Sequence, residues 1–409
     1  MPVRTIVSIW PLFAGLSLIG LAVGVQGSLL GVRAEIEGFD DYLIGLLMSC
    51  YFAGFLAGSL LTPKMIQRVG HIRIFAALSA VASVTILVHS IYVNPWAWAL
   101  MRLLTGFAFS TIYVVSESWL NQASNNANRG QILSIYTAIL LAGICAGQFM
   151  LNVANPTEFT LFILISVMVS VAAVPILLSV ITTPAIEETE RVTMRHLWYR
   201  TPMGVTGIIL SQWVSSILFG MGAVYATKLN FSVYQVANFM GAMMAGGMIL
   251  QYPIGKLSDM IDRRWVMGVA CLFAVAFALL ISRESEASTK LYVLIFLFGG
   301  CSLSLYSLGV ALPNDHLRPA EIVPASGTIV LIAGLTSITG PITAVFWLQI
   351  FGVQSFFLLL AACLLLLAGI SIWRVLTIEA LPSEYKVEIT LQAATAPVGT
   401  VLHAEEEIE

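Results

Sequence analysis

"GKLSDMIDRR", Gly255 to Arg264, sets five charges into ten residues of a chain in which 10% of residues are charged and 58% are hydrophobic. On either side stand apolar runs, at 234–255 and 265–282, each close to the ~20 residues that cross a bilayer. The stretch therefore reads as a short polar connection between two membrane spans. Such runs recur along all 409 residues, and the mean hydropathy is +0.92, far above the soluble range. The chain reads as an all-α polytopic membrane protein.

Counting outward from that connection gives twelve candidate helices, at 6–31, 42–62, 73–93, 96–119, 131–151, 158–181, 203–227, 234–255, 265–282, 290–312, 325–349 and 354–373. The apolar stretch after Arg4 is longer than the ~7 to 15 residues of a signal-peptide core and reads as a retained first span. One long polar connection, "TTPAIEETERVTMRHLWYRTP", separates the spans six and six. The expected organisation is a six-helix bundle over 1–181, a cytoplasmic linker over 182–202, a second bundle over 203–373 and a disordered cytoplasmic tail over 374–409.

Lys and Arg set the orientation. With both termini cytoplasmic, fourteen of the 19 fall on the cytoplasmic side, four on the other (Arg33, Lys228, Arg283 and Lys290), and Arg102 lies within the membrane. Charges confined to loops and tails form no basic face, which argues against nucleic-acid binding. All five cysteines lie inside apolar runs without metal-ligand spacing and read as small hydrophobes, so neither a disulfide framework nor a metal site is expected.

The halves also repeat. Tyr42 and Tyr234 are 192 positions apart, as are Gly54 and Gly246; Asn121 and Asn314 are 193 apart, as are Gly147 and Gly340. Tandem six-helix halves leave such an offset, and they place a substrate path at their interface near the membrane middle.

Gly255 to Arg264 resembles the signature loop of the major facilitator superfamily, Gly-x-Leu-x-Asp-Arg-x-Gly-Arg-Arg. Gly255, Leu257, Asp259, Arg263 and Arg264 fit, while Met260 and Asp262 depart from it. The first-half counterpart, "PKMIQRVGHIR" (Pro63 to Arg73), keeps Arg68 and Gly70, but has Gln67 for the Asp and His71 for an Arg. "RLLTGFAF", "NRGQILSIYTAILLAGICAGQ" and "GLTSITGP" resemble further elements of the superfamily, so the likeness covers essentially the whole chain. "ESWLN", "VGHIR" and "LSDMIDRR" are similar to its poorly characterised bacterial YcaD-like branch. The resemblance implies two pseudo-symmetric six-helix bundles in a bacterial inner membrane, working as a monomer by alternating access, with no cofactor. It also implies a conformational latch at Arg68, Gly70, Arg73, Gly255, Asp259, Arg263 and Arg264, where charge-assisted bonds hold one state and break in the other. The competing reading is that these charges serve only membrane topology. Glu117, near the cytoplasmic end of span four, is expected to face Arg68 and Arg73 and to stand in for the acid missing at Gln67.

Arg102 lies about 10 Å into span four, at ~1.5 Å per residue, where a charge costs at least about 2.5 kcal/mol. No Asp or Glu occupies the central part of any span, and Glu117 is about 22 Å along the helix. Three readings stand: Arg102 binds neighbouring polar groups such as Gln26, it receives an anionic substrate, or it snorkels to the surface. Mid-span Tyr113, Tyr136, Gln148, Gln212, Tyr225, Asn238, Gln251 and Tyr306 join Arg102 and Gln26 as cavity candidates, each competing with a role as interhelical glue.

The expected function is secondary transport of a small organic solute. Drug or amphipath efflux fits the aromatic, weakly charged interior; an organic-anion carrier with Arg102 as counter-charge is the alternative. A non-transporting receptor or a membrane enzyme is more remote, because the chain carries no P-loop, HExxH or GxSxG pattern and no converging catalytic residues. Proton coupling stays open, with Glu117, Asp40 and Asp41 as the available carboxyls.

Overall fold

A computed structural model describes residues 2–124, 128–178 and 193–377. The first half holds α1 (Pro2–Ile36), α2 (Asp41–Val69), α3 (His71–Ile91), α4 (Pro95–Ala123), α5 (Arg129–Met150) and α6 (Thr160–Leu177). The short α7 (Met194–Arg200) precedes the second half, which holds α8 (Pro202–Lys228), α9 (Val233–Met260), α10 (Arg263–Ile281), α11 (Thr289–Asn314), α12 (Pro319–Phe351) and α13 (Phe356–Thr377). Among the described residues, 12 helices are long and apolar enough to cross a membrane. Each coincides with one of the expected spans.

Several helices outrun their apolar stretches. α2 continues to Val69 and α9 to Met260, because hydropathy reports only the part matched to hydrocarbon whereas a helix runs on until a cap ends it. Side-chain caps mark several of the starts. Asn94 accepts from the backbone N–H groups of Trp96 and Ala97 at 3.0 and 3.1 Å, with Pro95 in the first turn of α4. Ser232 and Gln235 form a capping box at the head of α9. Of the expected linker, 193–202 is described and contains the unexpected helix α7; 182–192 and the tail beyond 377 lie outside the described residues.

Packing follows the repeat. α2 lies along α4 in the first half as α9 lies along α11 in the second. A Cβ on Gly54 would overlap the Leu103 carbonyl, and one on Gly246 the Phe296 carbonyl; Gly106 and Gly299 abut the carbonyls of Tyr51 and Met243 in the same way. The equivalent glycines thus make equivalent backbone approaches, which in lipid supply the van der Waals contact that no hydrophobic drive provides. The halves meet where α2 packs on α12, α5 on α9 and α1 on α8.

Candidate functional site

Between the halves lies a small cavity of about 50 Å³. Its polar lining comes from the first half alone: Gln26 and Ser28 of α1, Tyr51 of α2, Arg102 of α4 and Gln148 of α5. The second half contributes Phe219, Gly220 and Met240. Arg102 does not snorkel: it is 5% exposed and its guanidinium carbon sits 4.4 Å from the centre of the Tyr51 ring. One terminal nitrogen donates to Met48 Sδ at 3.6 Å, and Nε has no hydrogen-bond partner among the described residues. A desolvated cation–π contact contributes about 2 kcal/mol, whereas burying a charge costs several. No acidic residue forms an ion pair with Arg102 among the described residues, so its charge is under-compensated.

The two glutamines behave differently. Gln148 is engaged on both ends, accepting from Ser28 Oγ at 2.5 Å and donating to the Gly24 carbonyl at 3.0 Å, which ties α5 to α1. Gln26 is 2% exposed, and its Nε2 has no partner among the described residues. Arg102 and Gln26 therefore offer donors to the cavity without an acceptor to meet them, an arrangement that suits an anion.

Of the other cavity candidates, Gln251 lines a neighbouring, smaller cavity. Gln212 donates to Ser337 at 3.0 Å and joins α8 to α12. Tyr225 stacks on Phe356, with ring centres 4.7 Å apart, inside an aromatic core of the second half. Asn238 pairs with Tyr292. These three are helix-to-helix contacts, the glue reading. Tyr113, Tyr136 and Tyr306 are buried and cluster around Glu117.

Glu117 is not where the sequence reading puts it. It is 6% exposed, beside Tyr136 of α5 and Tyr306 of α11, and no ion pair reaches it among the described residues. The next two residues explain why. Ser118 hydrogen-bonds His71 at 3.1 Å and Trp119 packs against its ring, so that face of α4 addresses α3. Glu117, turned by ~100° from Ser118, points toward α5 and the other half. Arg68 and Arg73 are exposed and form no ion pair among the described residues.

In the second half the charges do assemble. Arg263, 1% exposed, contacts Asp315 at 2.7 Å, Asp259 at 2.9 Å and Ser258 Oγ at 3.1 Å. Arg264 pairs with Asp262 at 2.7 Å and donates to the Arg374 carbonyl at 3.2 Å. These partners belong to α9, to α13, to the turn between α9 and α10 and to the residue that closes α11. Here the network staples the basic end of the second half.

An ionic bridge between the halves lies at the opposite end. Lys228, closing α8, reaches Glu35 of α1 at 3.1 Å and Asp41 of α2 at 2.7 Å. Tyr42 and Phe346 meet edge to face beside it, 5.0 Å between ring centres. The sequence placed Lys228 and both acids on one side of the membrane, but which loops face each other across the halves is a matter of packing. Tyr51 and Phe219 were missed for the same reason: nothing in the chain links position 51 to 102, or 219 to either.

Comparison with known proteins agrees with this architecture. A family model described as Major Facilitator Superfamily matches residues 12–321 and 205–402. An uncharacterized MFS-type transporter of Enterobacter sp. (strain 638) is 26% identical over 357 residues, covering 86% of this chain and 91% of its own. The uncharacterized MFS-type transporter YcaD of Escherichia fergusonii is 24% identical over 353 residues, with the same coverage. A bacterial homolog of the human lysosomal transporter Spinster, solved inward-facing and occupied, superposes with a TM-score of 0.76 at 13% identity, covering 95% of this chain and 99% of that one.

Proposed function

The chain belongs to the Major Facilitator Superfamily, and from that membership we propose that it is a secondary transporter whose substrate is a small organic anion, held through its carboxylate or equivalent group by Arg102. The observation that carries this reading is the buried guanidinium of Arg102, with no ion-pair partner among the described residues, facing a cavity between the halves alongside the Gln26 amide nitrogen, which has no partner among the described residues either. An anion supplies the missing counter-charge, and its binding is lost when the charge is removed. The halves, 1–181 and 203–373, rock as units around this cavity in a monomer, the basic end facing the cytoplasm of a bacterial cell and the Lys228 clasp closing the outer side. Glu117 is the carboxyl available to take up a coupling proton, since closing α11 over it dehydrates a charge that no cation offsets among the described residues.

The test is flux in proteoliposomes carrying an internal pH dye, challenged with organic anions, neutral solutes and lipophilic cations. The expected result is an anion response that disappears in Arg102→Ala and survives in part in Arg102→Lys. Transport of neutral or cationic compounds undisturbed by Arg102→Ala would overturn it and leave drug-type efflux. Loss of the pH signal with retained anion exchange in Glu117→Gln is the result expected of a proton acceptor there.

A further inference from the structure

Transport gives the short helix α7 (Met194–Arg200) no task, yet its makeup is particular: Met, Trp, Tyr and two Arg in seven residues. Thr201 leaves helical geometry at φ −139° and ψ 62°, so the chain turns there and α7 departs from the axis of α8, whose membrane span begins at Pro202. That places α7 where hydrocarbon gives way to head groups. Its inner side is tied to the second half. Leu197 is fully buried as α7 packs on α8, Thr201 Oγ1 donates to the Leu197 carbonyl at 3.1 Å, and His196 meets Glu321, just ahead of the α12 span, at 3.4 Å.

The outer side is uncovered. Met194, Trp198 and Tyr199 are 47%, 46% and 72% exposed, and the guanidinium of Arg195 lies 5.6 Å from the centre of the Tyr199 ring. At ~100° per residue, positions 194, 195, 198 and 199 share one side of the helix. Arg200 and Arg318 are exposed beside it, near enough for their charges to act on Glu321. None of these three arginines forms an ion pair among the described residues. The surface thus joins an aromatic and thioether face to an excess of positive charge.

We propose that α7 is an interfacial element that binds anionic phospholipid, with Trp198 and Tyr199 at head-group depth and Arg195 and Arg200 against phosphate. Indole and phenol rings have an apolar body and a polar edge and settle at that depth, while a guanidinium pairs with phosphate through two parallel N–H bonds. Trp265 at the head of α10 and Trp373 near the end of α13 are exposed at the same basic end, the latter with Arg374 5.2 Å from its ring, so α7 joins an aromatic belt that the second half already carries. The preceding segment 182–192, with Glu187, Glu188 and Glu190, is the rival cover. Its carboxylates would answer the arginines but leave the aromatic face in water, whereas a phospholipid layer meets both needs. A lipid held there is held to the second half, through α8 and Glu321, whatever Arg102 binds.

The experiment places the full chain in phosphatidylcholine bilayers containing a fixed fraction of either phosphatidylglycerol or phosphatidylcholine brominated close to the head group. Bromine quenches indole fluorescence on contact, and the share of quenching due to Trp198 is the difference between the unmodified chain and Trp198→Phe. That share is expected to show phosphatidylglycerol favoured over phosphatidylcholine at Trp198 by about fivefold per guanidinium, as ~1 kcal/mol per charge at an anionic surface implies. Arg195→Gln combined with Arg200→Gln should remove the preference, and so should raising the salt from about 0.05 to about 0.5 M. Equal quenching by the two lipids at every salt concentration overturns the proposal and leaves a neutral belt residue. Trp198 open to aqueous iodide and untouched by brominated lipid overturns it too, because the face then lies in water. Protection from both quenchers, relieved by Glu187→Gln, Glu188→Gln and Glu190→Gln together, assigns the face to segment 182–192 instead. Should the double arginine variant not fold, the salt series on the unmodified chain decides.

Discussion

The two basic-end turns, α2 to α3 and α9 to α10, occupy equivalent places in the repeat and are held by opposite chemistry. In the second half, Arg263 gathers Asp259 and Asp315. At offsets of 192 and 193 the first half has His71, Gln67 and Gln122 in those three positions, so the cation and both acids have been replaced together by neutral groups. His71 is fully buried and keeps one hydrogen bond, to Ser118, and a ring contact with Trp119. The turns differ as well: Gly70 has φ +87° and ψ 159°, a region open almost only to glycine, whereas Asp262 has φ −56° and caps α10 by accepting from Arg264 N at 2.9 Å. A buried charge tolerates no partial loss, because a stranded partner costs more than the pair contributes. A half can thus carry the ionic staple or an entirely neutral one, but nothing in between.

The largest effect should come from breaking the ionic staple. Arg263→Met removes the charge that faces Asp315, whose side chain is 4% exposed, and should lower stability by about 3–5 kcal/mol. Adding Asp315→Asn and Asp259→Asn should restore most of it in thermal unfolding of the purified protein; no recovery would mean that packing, not charge, holds that end. Next, His71→Arg alone buries an unmatched guanidinium in the first half and should cost about 2–4 kcal/mol, a loss reduced when Gln67→Asp and Gln122→Asp are introduced with it. Equal loss in the single and triple variants would show that the halves differ in backbone and not only in charge. Smaller still, Gly70→Ala should cost about 1–3 kcal/mol through its strained φ, against a few tenths to about 1 kcal/mol for Asp262→Gly, read from the same unfolding curves. The smallest change in stability should follow Lys228→Met, about 1 kcal/mol or less, since its partners Glu35 and Asp41 are 24% and 35% exposed. That variant should act on the equilibrium between states: cysteines at Tyr42 and Phe346 should cross-link less readily than in the parent.

The candidate site was legible in part. Arg102, Gln26 and Gln148 stood out in the sequence as polar groups in apolar spans, and the structure gathers all three in one cavity. Gln212, Tyr225 and Asn238 stood out equally and turn out to join helices within the second half. Polarity in a span states that a group needs company; it does not state whether that company is a neighbour or a cavity.

The sequence by itself determined the twelve spans, their division six and six, the repeat and the basic end. Those are properties of length, hydropathy and charge, summed over contiguous residues against a bilayer of fixed thickness. Only the tertiary structure decided what Arg102 faces, that Glu117 turns from α3 toward α5 and α11, that Lys228 clasps the far end, and that Phe219 of the other half lines the cavity with Arg102. Each depends on the rotation of a helix about its axis and on which distant helix lies alongside. One residue along α4 turns a side chain by ~100°, and the partner comes from a segment as much as 193 positions away, as for Lys228 and Glu35.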